Sequence, residues 1–152
     1  MSLLATLLQA LEDDEQEMIA IRRHLHAHPE VSFHEKQTAA YIKAYYTALD
    51  MSVVPCGDGY GMYVDIEGGQ PGPKLALRAD FDALAIQEDN ELPFKSQNPG
   101  VMHACGHDAH TAYLLVLAKE LNKIKTQLSG SIRIIHQPAE EVSPGGAKGM
   151  IA

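Results

Sequence analysis

Apolar residues recur at intervals of three, four and seven near the start of the chain, at Leu4, Leu8, Leu11, Met18, Ile21 and Leu25. That spacing predicts an amphipathic helix over residues 3–25. The acidic block Glu12 to Glu17 reads as its solvated side, with room for a break near Asp13. The helix should stop at His28-Pro29, because the residue before a proline is pushed out of the helical region. A similar period at Thr38, Tyr41, Ile42, Tyr45 and Leu49 predicts a second helix over 35–49, with Ser32 and Glu35 spaced as a capping box. The period then shortens to two. Strands are predicted at 52–55, 62–67 and 74–79, separated by glycine-rich turns. A polar loop follows over 87–101, then a third helix over 109–125 and a fourth strand over 131–136. Ile132 and Ile134 fall on one face of that strand and Ile135 on the other, which suits a strand covered on both sides. The pattern predicts an α/β fold: a mostly parallel central sheet with helices on both faces. The chain reaches Ala152 in a helix just begun, so the expectation is a fragment, incomplete at its C-terminus.

Composition narrows the partners. The 152 residues suffice for one domain with a core. The formal net charge is −8 with no basic cluster, which argues against nucleic acid or an anionic membrane as partner. No apolar run approaches the ~20 residues that span a bilayer. The leucine-rich N-terminus lacks a positively charged leader and runs into acid, so it is not read as a signal peptide. Met1-Ser2-Leu3 has the look of a cloning scar. Two cysteines in a leaderless chain are expected to be reduced, in a cytoplasmic protein.

The candidate chemistry centres on Met102-His103-Ala104-Cys105-Gly106-His107-Asp108-Ala109-His110. Cys105 and His107 can turn to one point if the backbone bends at Gly106, which can take positive φ. Thiolate with imidazole is ligand chemistry for zinc and other borderline divalent metals. The plainer reading makes Asp108 a helix cap and leaves the histidines exposed. Asp80 and Asp82 leave the third strand at its carboxyl end, where open α/β sheets place their chemistry, although turn capping also explains them. Glu140 and Glu141 follow the fourth strand. A metal at this rim would polarise a carbonyl, while one glutamate moves a proton and the other binds metal. The implied reaction is metal-assisted hydrolysis of an amide or similar acyl bond. His24 and His28 share a helical face but lack a third ligand, and fit a helix end better. Residues 56–61 lack the Gly-Lys-Ser/Thr of a phosphate loop, and Cys56 reads as a bystander.

Four segments resemble a known family. They are Arg22-Arg23-x-Leu25-His26-x-x-Pro29-Glu30, Leu77-Arg78-Ala79-Asp80-Phe81-Asp82-Ala83-Leu84, Met102 to Asp108, and Gln137-Pro138-Ala139-Glu140-Glu141. Together they resemble the metal-dependent N-acyl-amino-acid amidohydrolases, the branch of the aminoacylase and zinc carboxypeptidase family that holds hippurate hydrolase and the plant auxin-conjugate hydrolases. The resemblance implies a zinc-exopeptidase-like fold and two divalent ions (Zn, Mn or Co). It implies Cys105, His107 and Glu141 as ligands and Glu140 as general base. Asp80 and Asp82 become second-shell groups or marginal ligands, while His103 and His110 receive no direct role. The implied substrate is an N-acyl amino acid or short peptide. Residues 1–152 would be the N-terminal portion of the catalytic domain. A lid domain mediating dimerisation, the rest of the catalytic domain and two more ligand histidines would lie beyond Ala152. His136 reads as a strand side chain. Two rival readings remain: a metal-binding fragment without turnover, and a thiol hydrolase using Cys105 and His107, for which no oxyanion hole is evident.

Overall fold

A computed structural model describes residues 2–151, so Met1, part of the suspected scar, lies outside the described residues. The single N-terminal helix resolves into two, α1 (Leu3–Asp13) and α2 (Glu15–Ala27), joined at Asp14. The Ser2 hydroxyl caps α1 by accepting the Ala5 N–H at 3.2 Å. The acidic block is not only a solvated side: Lys119 pairs with Asp14 at 2.7 Å and with Glu17. α2 ends at His28, before the proline, as expected. α3 spans Lys36–Ala48.

The expected capping box does not form. Glu35 occupies the cap position of α3 without a side-chain bond to the helix. Glu30 caps instead, accepting the N–H groups of Gln37 and Thr38 at 3.1 and 2.8 Å. Ser32 and Glu35 are left free to reach elsewhere.

Four strands follow: β1 (Val54–Pro55), β2 (Met62–Glu67), β3 (Gln70–Asp80) and, after α4 (His107–Lys123), β4 (Ser129–Gln137). They lie in the order β1-β2-β4-β3. The α/β layering matches expectation, while the strand sense is mixed. β3 and β4 are parallel, joined through α4, but β2 runs antiparallel to β4. The cause is the reversal at Gly68-Gly69, which returns the chain beside β4 instead of beside β2. A Cβ on Gly69 would lie 2.2 Å from the Thr126 carbonyl oxygen, so the reversal requires glycine.

Met62, Val64 and Ile66 of β2 share a face with Ile134 and His136 of β4 and with Ala79 of β3. α4 packs on the sheet, α2 and α3 add buried residues to the core, with Ile42, Tyr46, Leu114 and Leu115 at its centre, and α1 packs outside against α2 and α4. The opposite face carries Tyr63, Asp65 and Arg133, with Arg133 held by Asp65 at 2.8 and 2.6 Å. Among the described helices only the short α5 (Ala147–Ile151) approaches this side, lining a groove with Tyr63 and Ile135. Ile135 is therefore half-buried, not covered as expected.

What matters for chemistry is that Asp80 pairs in register with Gln137. The carboxyl ends of β3 and β4 lie side by side, and the N-terminus of α4 meets them.

Candidate metal centre

α4 begins two residues earlier than its periodicity predicts, so His107 and Asp108 sit in its first turn. Gly106 precedes it at φ +125°, a conformation that side chains disfavour, which is the expected bend between Cys105 and His107. His107 is 3% exposed. Its Nδ1 lies 3.0 Å from the Asp82 carbonyl oxygen and 3.2 Å from Asp82 Oδ1. With Nδ1–H donated there, the Nε2 lone pair is left free. It faces Asp80 Oδ1 at 3.4 Å, Glu141 Oε1 at 3.7 Å and Glu140 Oε2 at 4.0 Å. A histidine oriented by a carboxylate on one nitrogen and offering the other to anions is built as a metal ligand.

One donor atom each from Cys105, His107 and Glu141 falls within 4.8 Å of the others. Asp80, His107 and His110 form a second such group. Glu141 Oε1 is buried with no hydrogen-bond partner among the described residues, and such an oxygen is satisfied by a cation. The donor set thus fits a divalent ion, with a thiolate and an imidazole favouring a borderline metal over magnesium.

Asp82 holds the centre together. Its Oδ2 accepts the Ser32 hydroxyl at 2.6 Å and the Glu141 N–H at 3.0 Å. Burial opposes its charge, yet hydrogen bonds from His107, Ser32 and the Glu141 and Glu140 amides hold its carboxyl well below the usual range. Burial likewise opposes the charging of His107, but the Asp82 bond and the charges of Asp80 and Asp82 raise its pKa. Burial and Glu141 push the Cys105 thiol up. That is the reverse of an activated nucleophilic cysteine, whose pKa is lowered by cations, whereas a coordinating metal deprotonates a thiol outright.

Glu140 and Glu141 leave β4 through a left-handed pivot, Ala139 at φ +49°. For a residue with a Cβ this conformation costs roughly 1–2 kcal/mol, so contacts must hold it. The Ala139 N–H donates to Glu35 Oε1 at 2.7 Å, and its carbonyl accepts the Gly146 N–H at 2.8 Å. A cleft of about 450 Å³ borders the pivot at Glu35 and Pro138, between the 57–61 turn and the Gly145–Met150 segment.

Several groups have parts that sequence patterns did not show. His110, given no role, lies 2.9 Å from Asp80 Oδ1, and Arg78 pairs with the other Asp80 oxygen at 3.0 Å. Asp108 is not a cap: it is buried, and its Oδ2 meets Arg22 Nε at 3.1 Å and His26 Nδ1 at 2.8 Å. His26 Nε2 in turn lies 3.2 Å from Glu88 Oε1, which ties the polar loop to α2. His103 is buried without a partner on either nitrogen among the described residues, and burial lowers its pKa to about 4. His24 stacks on Tyr41 and joins no ligand group. Arg22 and His26, four apart on one face of α2, are the pair that meets Asp108, and their spacing alone does not name that partner.

Known proteins resemble this chain in sequence and in fold. An N-acyl-L-amino acid amidohydrolase of Geobacillus stearothermophilus is 45% identical over 141 residues, covering 93% of this chain and 38% of that protein. A crystal structure from methicillin-resistant Staphylococcus aureus superposes with a TM-score of 0.92 at 57% identity, over 95% of this chain and 37% of its own. A Bacillus subtilis protein described as a dinuclear metal-binding peptidase from the M20 family superposes at 0.84 with 41% identity, over 90% and 38%. The chain spans less than two fifths of each of these relatives. Residues 76–152 match the profile of peptidase family M20/M25/M40. That stretch runs from β3 through Glu141 and contains every donor named above; the chain belongs to this family.

Proposed function

We propose that residues 1–152 are the N-terminal portion of the catalytic domain of a hydrolase that cleaves the amide bond of N-acyl amino acids or short peptides. The observation that carries this reading is the convergence of Cys105, His107 and Glu141 donors within 4.8 Å, with the Glu140 carboxylate 4.0 Å from His107 Nε2. A divalent ion held by those three residues supplies Lewis acidity toward the scissile carbonyl and acidifies a water. We assign zinc, manganese or cobalt, because thiolate matches a hard ion poorly.

The chain's own residues do the rest. Glu140, with its side chain 43% exposed, is free to accept a proton from the attacking water. It then returns that proton to the leaving amine, so the carboxylate is regenerated and the acyl group departs as a carboxylic acid. Asp82 keeps His107 in the tautomer that leaves Nε2 free, and Asp80 holds His110 in place beside it. Glu141 stays anchored through its own N–H to Asp82.

Cys105, His107 and Glu141 are too few for two ions, and Asp80 and His110, the other converging pair, are tied to each other at 2.9 Å. A lid domain, the remaining ligands and a homodimer contact are accordingly assigned to chain beyond residue 152. On this reading the isolated 152 residues bind metal weakly and do not turn over. The protein acts in the cytoplasm on small molecules, without nucleic acid or membrane. No described helix is long and apolar enough to cross a membrane.

The test is hydrolysis of N-acetyl amino acids by the complete protein supplied with zinc, manganese or cobalt. Turnover lost to a chelator and restored by metal supports the reading. Turnover with none of the three ions would sink it. Inactivation by thiol alkylation but not by chelation would transfer the chemistry to Cys105 as nucleophile.

A further inference from the structure

We infer that Glu35 is a positioning residue for the general base: it fixes the Ala139 pivot from which Glu140 is aimed. This rests on the assignment of Glu140 under the proposed function.

Glu35 stands where a helix cap should be and does not cap, since Glu30 serves the amides of α3. Its side chain is instead fully buried and crosses to a segment distant in the chain, where Oε1 accepts the Ala139 N–H at 2.7 Å. The second oxygen, Oε2, is buried without a partner among the described residues. A carboxyl group in the interior is a poor choice for stability alone. Its use is local: its bond to the Ala139 N–H holds a non-glycine residue at φ +49°.

The turn that carries Glu35 grips the site twice. Ser32 donates to Asp82 at 2.6 Å, and Asp82 accepts the Glu141 N–H at 3.0 Å. Glu35 takes the Ala139 N–H on the near side of the same pair. Phe33, between them, is itself left-handed at φ +68°. The two glutamates are nevertheless supported unequally. The Glu141 amide makes the 3.0 Å bond to Asp82, and the Glu140 amide meets the same carboxylate more weakly. Glu140, bonded directly to Ala139 and with the more exposed side chain, takes its aim from the pivot. Loss of Glu35 should therefore reduce turnover more than metal retention.

The experiment compares Glu35→Met, which keeps volume but cannot accept the Ala139 N–H in the same way, with Glu35→Gln, whose amide oxygen can. Both are made in the complete, metal-loaded protein. Three quantities are read: kcat and KM on an N-acetyl amino acid, bound metal, and hydrogen exchange of the 138–146 segment. For Glu35→Met, kcat should fall roughly 10–100-fold, the scale for groups that orient a functional side chain. KM and bound metal should change little, and exchange should accelerate. Glu35→Gln should restore slow exchange and most of kcat. Unchanged exchange in Glu35→Met overturns the inference, as does faster exchange with wild-type kcat. A Glu35→Met protein that fails to fold assigns Glu35 a merely structural role and overturns it too. If the wild type itself does not hydrolyse amides, the proposed function fails by that result alone. Exchange then still decides whether Glu35 holds the pivot.

Discussion

His107 and His136 are the same side chain at nearly the same burial, 3% and 0% exposed, yet they are opposite in character. His136 ends β4 on the helix-covered face. Its Nε2 lies 2.7 Å from the Tyr46 hydroxyl, and its Nδ1 has no partner among the described residues. With no carboxylate beside it, burial drives its pKa down to about 3. At His107, burial works in the same direction but loses to Asp82 and Asp80, and the pKa rises. Depth in the fold therefore does not make a histidine a ligand or exclude it. The decisive feature is an oriented partner on one nitrogen and several converging anions on the other, which the rim supplies to His107 and the core does not supply to His136.

The sharpest way to break this comparison is to alter the rim without altering its anions' shape. Glu140→Gln in the complete protein should keep fold and metal and lose ~10²–10⁴-fold in kcat, the usual contribution of a general acid–base group. Steady-state kinetics beside elemental analysis reads both quantities. Glu141→Gln should instead shed metal. If both variants kept full metal and only Glu141→Gln lost turnover, the two roles would be exchanged.

The next effect belongs to the core histidine. Below the ordinary histidine pKa of 6.5 the unfolded chain binds a proton at His136, while the folded chain refuses it until about pH 3. The unfolded state then holds more protons, so stability is full above pH 6.5 and falls as the pH drops toward 3. The loss from this residue approaches roughly 4–5 kcal/mol at the acid end of that window. Denaturant unfolding of wild type and His136→Leu between pH 7 and pH 4 isolates it. The variant should show a shallower decline, and an identical slope would remove His136 as its cause.

Asp82→Ala tests the oriented partner directly. It removes the carboxylate acceptor of His107 Nδ1 and of the Glu141 amide, keeping the Asp82 carbonyl at 3.0 Å from Nδ1 and all three donors in the chain. Metal affinity should weaken about 10–100-fold, as when a carboxylate behind a ligating histidine is lost. Competition with a chromophoric chelator measures this, and unchanged affinity would mean that the residue-82 carbonyl and packing suffice to orient His107.

How far these roles are legible in sequence depends on the distance over which each is decided. The bend at Gly106 and the bounds of β2 follow from neighbouring residues, and both stand as expected. Donor atoms of Cys105, His107 and Glu141 also lie within 4.8 Å of one another, a set that the family resemblance implied and that local pattern alone did not single out from Glu140. The direction of β2 relative to its neighbour does not follow from neighbouring residues, since β4 arrives from far along the chain to separate β2 from β3. Ser32 and Glu35 fit a capping box by spacing, but spacing cannot reveal that Glu30 would do the capping. Asp108 likewise reads as a cap until α2 is seen to place Arg22 and His26 against it.

The smallest effect asks whether the Tyr46 hydroxyl is the core's answer to Asp82. It is a neutral partner, so it should stabilise His136 without charging it. Tyr46→Phe leaves the buried Nε2 unpaired and should cost about 1–2 kcal/mol at pH 7, within the range for one orphaned buried polar group. His136→Leu leaves the Tyr46 hydroxyl unpaired in turn. Removing both removes the orphan, so the double variant should be less destabilised than the two single losses added together. Urea unfolding of the four proteins at pH 7 completes the cycle. Strict additivity would mean that the 2.7 Å contact carries no coupling, and that His136 is kept neutral by burial alone.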